Sequence, residues 1–293
     1  MLDIQEVLKK VRLIEIKTRK AVRDVLAGQY HSTFKGHGME FADVRLYQPG
    51  DDYRTIDWNV TARTGQLHVK QHHEERQQTL LLAIDVSGSL RFGTTGRLKS
   101  DVLAEVCALL AFSAIRSQDR VGLLLFSDRV ELYLPPRKGS EHVLRIIREI
   151  LYFRPKGRAT DFSGAFSAIN RLLPRKATVF LCSDFQAPLG RGLPVMARRH
   201  DVTAVLVEDP AELALPSSGW IEWTDPETGR HGWVDTRSAA LRDRFRDARL
   251  RQKEQVLQAL SRSEVFAVPL ATSADVVGPL VAYFRSRSAR GAR

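Results

Sequence analysis

The apolar run LLLAIDVSGSL ends in oxygen: Asp85, Ser87 and Ser89 stand at alternate positions, with Gly88 between the serines. A carboxylate and two hydroxyls on one tight loop suit a hard cation, and Mg2+ takes about six oxygens at about 2.1 Å. One loop supplies only half of these. Two further donors stand where they could join it, Thr160 in RATDFSGAF ahead of a helical pattern and Asp184 in VFLCSDF at the close of an apolar run. Asp85, Ser87, Ser89, Thr160 and Asp184 are therefore the candidate ligands of Mg2+ or Mn2+. Two ionised aspartates balance the divalent charge and leave a position for an outside oxygen, such as a carboxylate of another protein. Each piece also has a plainer use: Thr160 or Asp161 as a helix N-cap, Ser183 or Asp184 as the cap of a turn.

Such donors converge only if their elements end on one side of the fold. From Gln77 onward apolar strands alternate with helical patterns. The strands are TLLLAIDV (79–86), VGLLLFSD (121–128), a stretch near 130–134, ATVFLCSD (177–184), DVTAVLVED (201–209) and EVFAVPL. The helices are expected over about 97–117, 141–151, 161–173, 192–199, 236–261 and 273–285. Continuous Val, Leu and Ile strands separated by helices predict an α/β fold, a doubly wound and mostly parallel sheet covered on both faces. Ligands of such sheets bind beyond the carboxyl ends of the strands, which is where the candidate donors lie. WIEWTDPETGRHGWVD (220–235) alternates with period two around a Pro and Gly turn and reads as an inserted hairpin.

The rest divides as follows. Residues 1–27 carry Ile4, Val7, Leu8, Val11, Ile14, Val22 and Val25 at helical spacing among basic residues, an amphipathic helix that ends at Gly28. Residues 28–76 break into short strands, FADVRLY and QLHVKQH, with turns at KGHG, YQPGDD and RTGQ, a small β-rich appendage. Residues 77–285 form the α/β domain, and 286–293 a basic tail. In GDDYRTIDW, Asp51, Asp52 and Asp57 stand near Arg45, Arg54 and Arg63, which suits either an internal salt-bridge lattice or a recognition surface.

The spacing Asp85, Ser87, Ser89, Thr160, Asp184 resembles the metal-ion-dependent adhesion site (MIDAS) of von Willebrand factor A domains, whose fold is this Rossmann-like sheet. GHGMEFADVRLYQPGDDYRTIDWNVTAR resembles the signature of the domain of unknown function 58 family. The resemblance implies a cytoplasmic, non-enzymatic module for protein–protein interaction. In bacteria such modules are often paired with a MoxR-type AAA+ ATPase, in systems thought to act as chaperones or in maturation of other proteins. Arg91, Phe92, Phe185 and Gln186, near the rim of the site, are the expected partner contacts.

Composition bounds the alternatives. No run is long and apolar enough for a bilayer span, and Cys107 and Cys182 fit buried apolar positions, which suits a reducing cytoplasm. A Mg2+- or Mn2+-dependent hydrolase is the first alternative, yet it needs a second base that the sequence does not identify. Nucleic-acid binding is the other, motivated by a net charge of +11, but no helix-turn-helix, zinc-finger or ribonucleoprotein strand motif accompanies that charge.

Overall fold

The computed structural model describes Leu26, Tyr30, Thr33, residues 40–73 and residues 78–291. The expected N-terminal helix falls almost entirely outside these residues, as do the KGHG turn and residues 292–293. The chain divides into a small unit, Phe34–Gln78, and a large one that holds residues 79–291.

In the small unit, β1 (Glu40–Leu46) pairs antiparallel with β2 (His68–His73). Between them runs a helix that the sequence patterning did not predict, α1 (Trp58–Thr64). Its start is chemical rather than hydrophobic: Asp57 accepts from the backbone N–H groups of Asn59 and Val60, and Gly65 closes it at φ +70°. Asp52 caps the preceding turn through Arg54 N, and Asp51 takes a bidentate pair from Arg45 at 2.6 and 2.7 Å. Of the expected lattice, Arg45 and Asp51 form an ion pair, and Asp52 and Asp57 cap a turn and a helix.

The large unit runs in chain order through β3 (Thr79–Asp85), α2 (Lys99–Arg116), β4 (Arg120–Phe126), β5 (Val130–Arg137), α3 (Ser140–Tyr152), α4 (Phe162–Leu172), β6 (Thr178–Ser183), α5 (Leu193–Arg199), β7 (Asp201–Glu208), β8 (Trp220–Thr224), β9 (His231–Asp235), α6 (Ala239–Arg262), β10 (Phe266–Ala271) and α7 (Val277–Gly291). Six strands form one sheet in the order β10-β7-β6-β3-β4-β5. All neighbours are parallel except the edge pair β4 and β5. Pro135 and Pro136, which lack N–H donors, lie on that edge strand, where a missing ladder bond is tolerated.

Both faces of the sheet are covered. On one, Leu81, Ala83, Leu124, Val179, Leu181, Ala204 and Leu206 pack under Phe162, Ala165, Phe166 and Ile169, the i, i+3, i+4, i+7 stripe of α4. On the other, α2 lies against β6, with Cys107 Sγ 3.9 Å from Cys182 Sγ, and both thiols are free and buried. α7 covers the same face: Tyr283 sets its ring 5.9 Å from Phe180 and its hydroxyl 2.7 Å from Thr203 Oγ1. Tyr30 reaches this layer from the N-terminal region, donating to Asp119 Oδ2 at 3.2 Å and meeting Phe284 edge-on. No helix of the described residues is long and apolar enough to cross a membrane. Of the arginines before and within α6, Arg237 pairs with Asp235 and Arg246 with Asp243, both nearby in sequence, and Arg249 reaches the Glu212 carbonyl across the fold.

His200, at the end of α5, is 2% exposed, and neither ring nitrogen meets a hydrogen-bonding partner among the described residues. Burial, and then the neighbouring Arg199 guanidinium, hold its pKa below the ordinary 6.5. The unfolded chain therefore takes up this proton first as pH falls, so stability declines below about pH 6.5 until the folded imidazole also protonates. His200→Leu is expected to match or exceed the wild type in urea at pH 7.5 and to lose less of its midpoint by pH 5.5. Parallel losses in the two proteins would refute this assignment.

Candidate functional site

β3 and β6 are neighbours at the point where the chain, after moving outward to β4 and β5, returns to the other side of β3. Their carboxyl ends therefore open the crevice in which sheets of this kind bind ligands. Asp85 is the last residue of β3 and is fully buried. Its Oδ1 accepts from Ser87 N at 2.8 Å; its Oδ2 accepts from Ser183 Oγ at 2.7 Å and lies 3.2 Å from Thr160 Oγ1. Ser87 and Ser89 bring their hydroxyls within 3.1 Å of each other. The loop is pinned from both sides, by Val86 N donating to Phe126 O and Gly88 N to Arg158 O. Asp161 N donates to Ser127 O, which fixes the approach of Thr160.

Asp184 follows β6 immediately. Its carboxylate makes its closest contact with a residue the sequence did not single out: Lys99, fully buried, sets Nζ 2.6 Å from Asp184 Oδ2 and 2.7 Å from Glu212 Oε1. Asp184 is still close enough to act on Asp85. Burial first, and then the Asp184 charge, push Asp85 up to about 6, against hydrogen bonds from Ser183 and Ser87. Glu227, at the tip of the β8–β9 hairpin, also enters the cluster, with Oε1 3.2 Å from Thr160 Oγ1. Burial, with Asp184 and Asp225 nearby, raises its pKa as well, against hydrogen bonds from Thr160 and Ser89.

These donors suit a hard cation. Thr160 has one hydroxyl proton for two carboxylate oxygens, and burial first, with the charge of Asp184 second, disfavours the ionised carboxylates here unless a positive charge joins them. Among the described residues no group of three or more His, Cys, Asp or Glu side chains has metal-binding geometry, so hydroxyls must carry much of any coordination.

The rim differs in part from expectation. Arg91 and Phe92 are exposed. Phe185 is not a rim residue: it is 2% exposed and stacks on Phe162 at 5.4 Å and 9°, with its backbone at φ +54°. Gln186 is half-buried and braced, donating to Glu212 Oε1 at 2.5 Å and accepting from Gln252 at 2.8 Å. Lys99, Glu212 and Glu227 were missed because their roles depend on tertiary placement. The one available signal was Ser183, beside Asp184. A cavity of about 320 Å3 flanks Asp85 and Ser87, lined also by Leu90, Leu98, Ile150 and Phe153.

Residues 43–255 match the family described as "Protein of unknown function DUF58". An uncharacterized protein of Mycobacterium tuberculosis is 32% identical over 297 residues, covering 99% of this chain and 92% of its own. The uncharacterized protein YeaD of Bacillus subtilis is 28% identical over 117 residues, 39% of this chain and 26% of its own. Among solved structures, BatB from Bacteroides thetaiotaomicron aligns with a TM-score of 0.45 at 14% identity, over 73% of this chain and 99% of its own. The SpRpn10 VWA domain aligns with a TM-score of 0.39 at 12% identity, over 70% and 94%.

Proposed function

This chain belongs to the DUF58 family, and from that premise we propose that it is a non-enzymatic interaction module. It holds Mg2+ or Mn2+ at Asp85, Ser87, Ser89, Thr160 and Asp184, and takes an acidic side chain of a partner protein there. The observation that supports this best is the linkage of Asp85, Ser87, Ser89 and Thr160 through short contacts at the switch point of the sheet, with Asp184 within electrostatic reach. When bound, the cation supplies positive charge that attracts an anionic oxygen from outside. The protein's own contribution is orientation: Ser183 and Ser87 N fix the Asp85 carboxylate, and Lys99 fixes that of Asp184. Phe92 and Arg91 flank the loop as contacts for the partner. Resemblance at the sequence level favours a MoxR-type AAA+ ATPase, or its client, as that partner, in the cytoplasm.

Calorimetric titration of Mg2+ and Mn2+ into chelator-stripped protein tests the proposal, with wild type beside Asp85→Ala. One ion per chain is expected for the wild type. The variant should bind at least about 100-fold more weakly, since even supporting groups around a metal are worth about 10- to 100-fold. It should keep its fold, because it loses a carboxylate whose charged form is disfavoured by burial. Equal binding by both proteins, or none by the wild type, would overturn the assignment.

A further inference from the structure

We infer that the carboxylate completing this site is supplied by the chain itself, as Glu227 on the β8–β9 hairpin, so that an acidic partner gains the site only by displacing the hairpin tip. The inference rests on the edge being a cation site.

The tip is built in advance. Asp225 N donates to Arg230 O at 2.7 Å and Gly229 N to Asp225 O at 2.8 Å, with Gly229 at φ +72°, where a side chain would be strained. The Asp225 carboxylate accepts from Glu227 N at 2.9 Å and from Thr228 Oγ1 at 2.6 Å. This holds the Glu227 backbone in one orientation. The tip is also seated. A Cβ on Gly88 would fall 2.3 Å from the Pro226 carbonyl oxygen, so the residue between Ser87 and Ser89 must be glycine for the hairpin to reach the loop. From that seat Glu227 meets Thr160 and Ser89, donors from two of the loops that form the candidate site.

The rest of the hairpin is lightly held. Trp220, Trp223 and Trp233 are 62%, 44% and 64% exposed, so its strands bury little apolar surface. A tethered carboxylate of this kind acts at an effective concentration on the order of millimolar. A partner whose acidic side chain is its sole contact would lose that competition, and one with further contacts at the rim would win it. The hairpin thereby sets a threshold for which partners bind.

The test uses full-length protein and Mn2+ alone, with Mn2+ affinity and solvent-proton relaxation as readouts; relaxation reports how many water molecules reach the ion. In Glu227→Ala, affinity should fall by about tenfold, the scale of a single supporting contact to a metal, while relaxation per bound ion rises. Acetate, the simplest carboxylate, should reduce relaxation in the variant and leave the wild type unchanged at the same concentration. Gly88→Ala, which evicts the tip from the other side of the contact, should behave like Glu227→Ala. If Asp85→Ala loses Mn2+ while Glu227→Ala matches the wild type in affinity, relaxation and acetate response, the internal ligand is refuted and the cation site stands. Failure of the wild type to bind Mn2+ refutes both.

Discussion

Lys99→Met is expected to destabilise the protein by about 3–5 kcal/mol, the usual loss when one partner of a buried ion pair is removed. The size follows from the placement of the ammonium group. Lys99 is fully buried between Asp184, whose side chain is 2% exposed, and Glu212, at 12%. Methionine fills a similar volume without charge and leaves two carboxylates facing each other in a poorly hydrated space. Urea denaturation followed by far-UV circular dichroism measures the loss. Two further results distinguish charge from packing. Removing both remaining charges with Asp184→Asn and Glu212→Gln in the Lys99→Met background should recover most of the stability. Mg2+ should raise the midpoint of Lys99→Met more than that of the wild type, because the cation then replaces positive charge that the side chain had supplied. A loss below about 1 kcal/mol would mean that Asp184 and Glu212 regain water or protons once the ammonium is gone, and would refute the buried, unpaired charges on which this expectation rests.

The second large effect lies beneath the same edge. Phe162 stacks on Phe185 at 5.4 Å and touches Phe126 and Phe166 at 5.8 and 5.9 Å. Phe162→Ala should cost about 3–5 kcal/mol, the range for deleting a buried aromatic ring. Its consequence for the site is more specific. Phe162 follows Thr160 by two positions and Phe185 follows Asp184 directly, so the stacked rings set the separation of two donor loops. Mn2+ affinity should therefore drop by about tenfold in Phe162→Ala. In Phe166→Ala, one turn along α4 from the donors, stability should fall with little change in affinity. Equal affinity losses in the two variants would show that general loosening, and not the bracket, controls the site.

Much of this arrangement was legible in the sequence because it rests on local pattern. Unbroken apolar runs marked β3, β4, β6 and β7, a helical pattern over 141–151 marked α3, and alternation around DPETGR marked the hairpin. Donors at the ends of strands could be matched to one edge because parallel strands all end there. What escaped has a common cause. Lys99 sits in a helical pattern like any exposed lysine, and only the meeting of α2 with the ends of β6 and β7 buries it. Phe185 stands next to the donor Asp184 in sequence, and only packing against Phe162 of α4 shows that its ring belongs to the core. Glu227 is one acidic residue in a polar turn, and nothing in the hairpin's own sequence says where that turn lands. α1 begins from capping by Asp57 and carries no apolar stripe, so periodicity passed over it.

The bond from Ser183 to Asp85 spans 98 positions. During synthesis β3 leaves the ribosome early and finds β4 on one side, while its other edge waits for β6. At about 5–20 residues per second, that wait lasts about 5–20 s. For this time the row of unpaired N–H and C=O groups along LLLAI is open to other chains. Newly made chains are expected to aggregate most before β6 emerges, and slowing translation between β4 and β6 should raise the insoluble fraction recovered from cell-free synthesis.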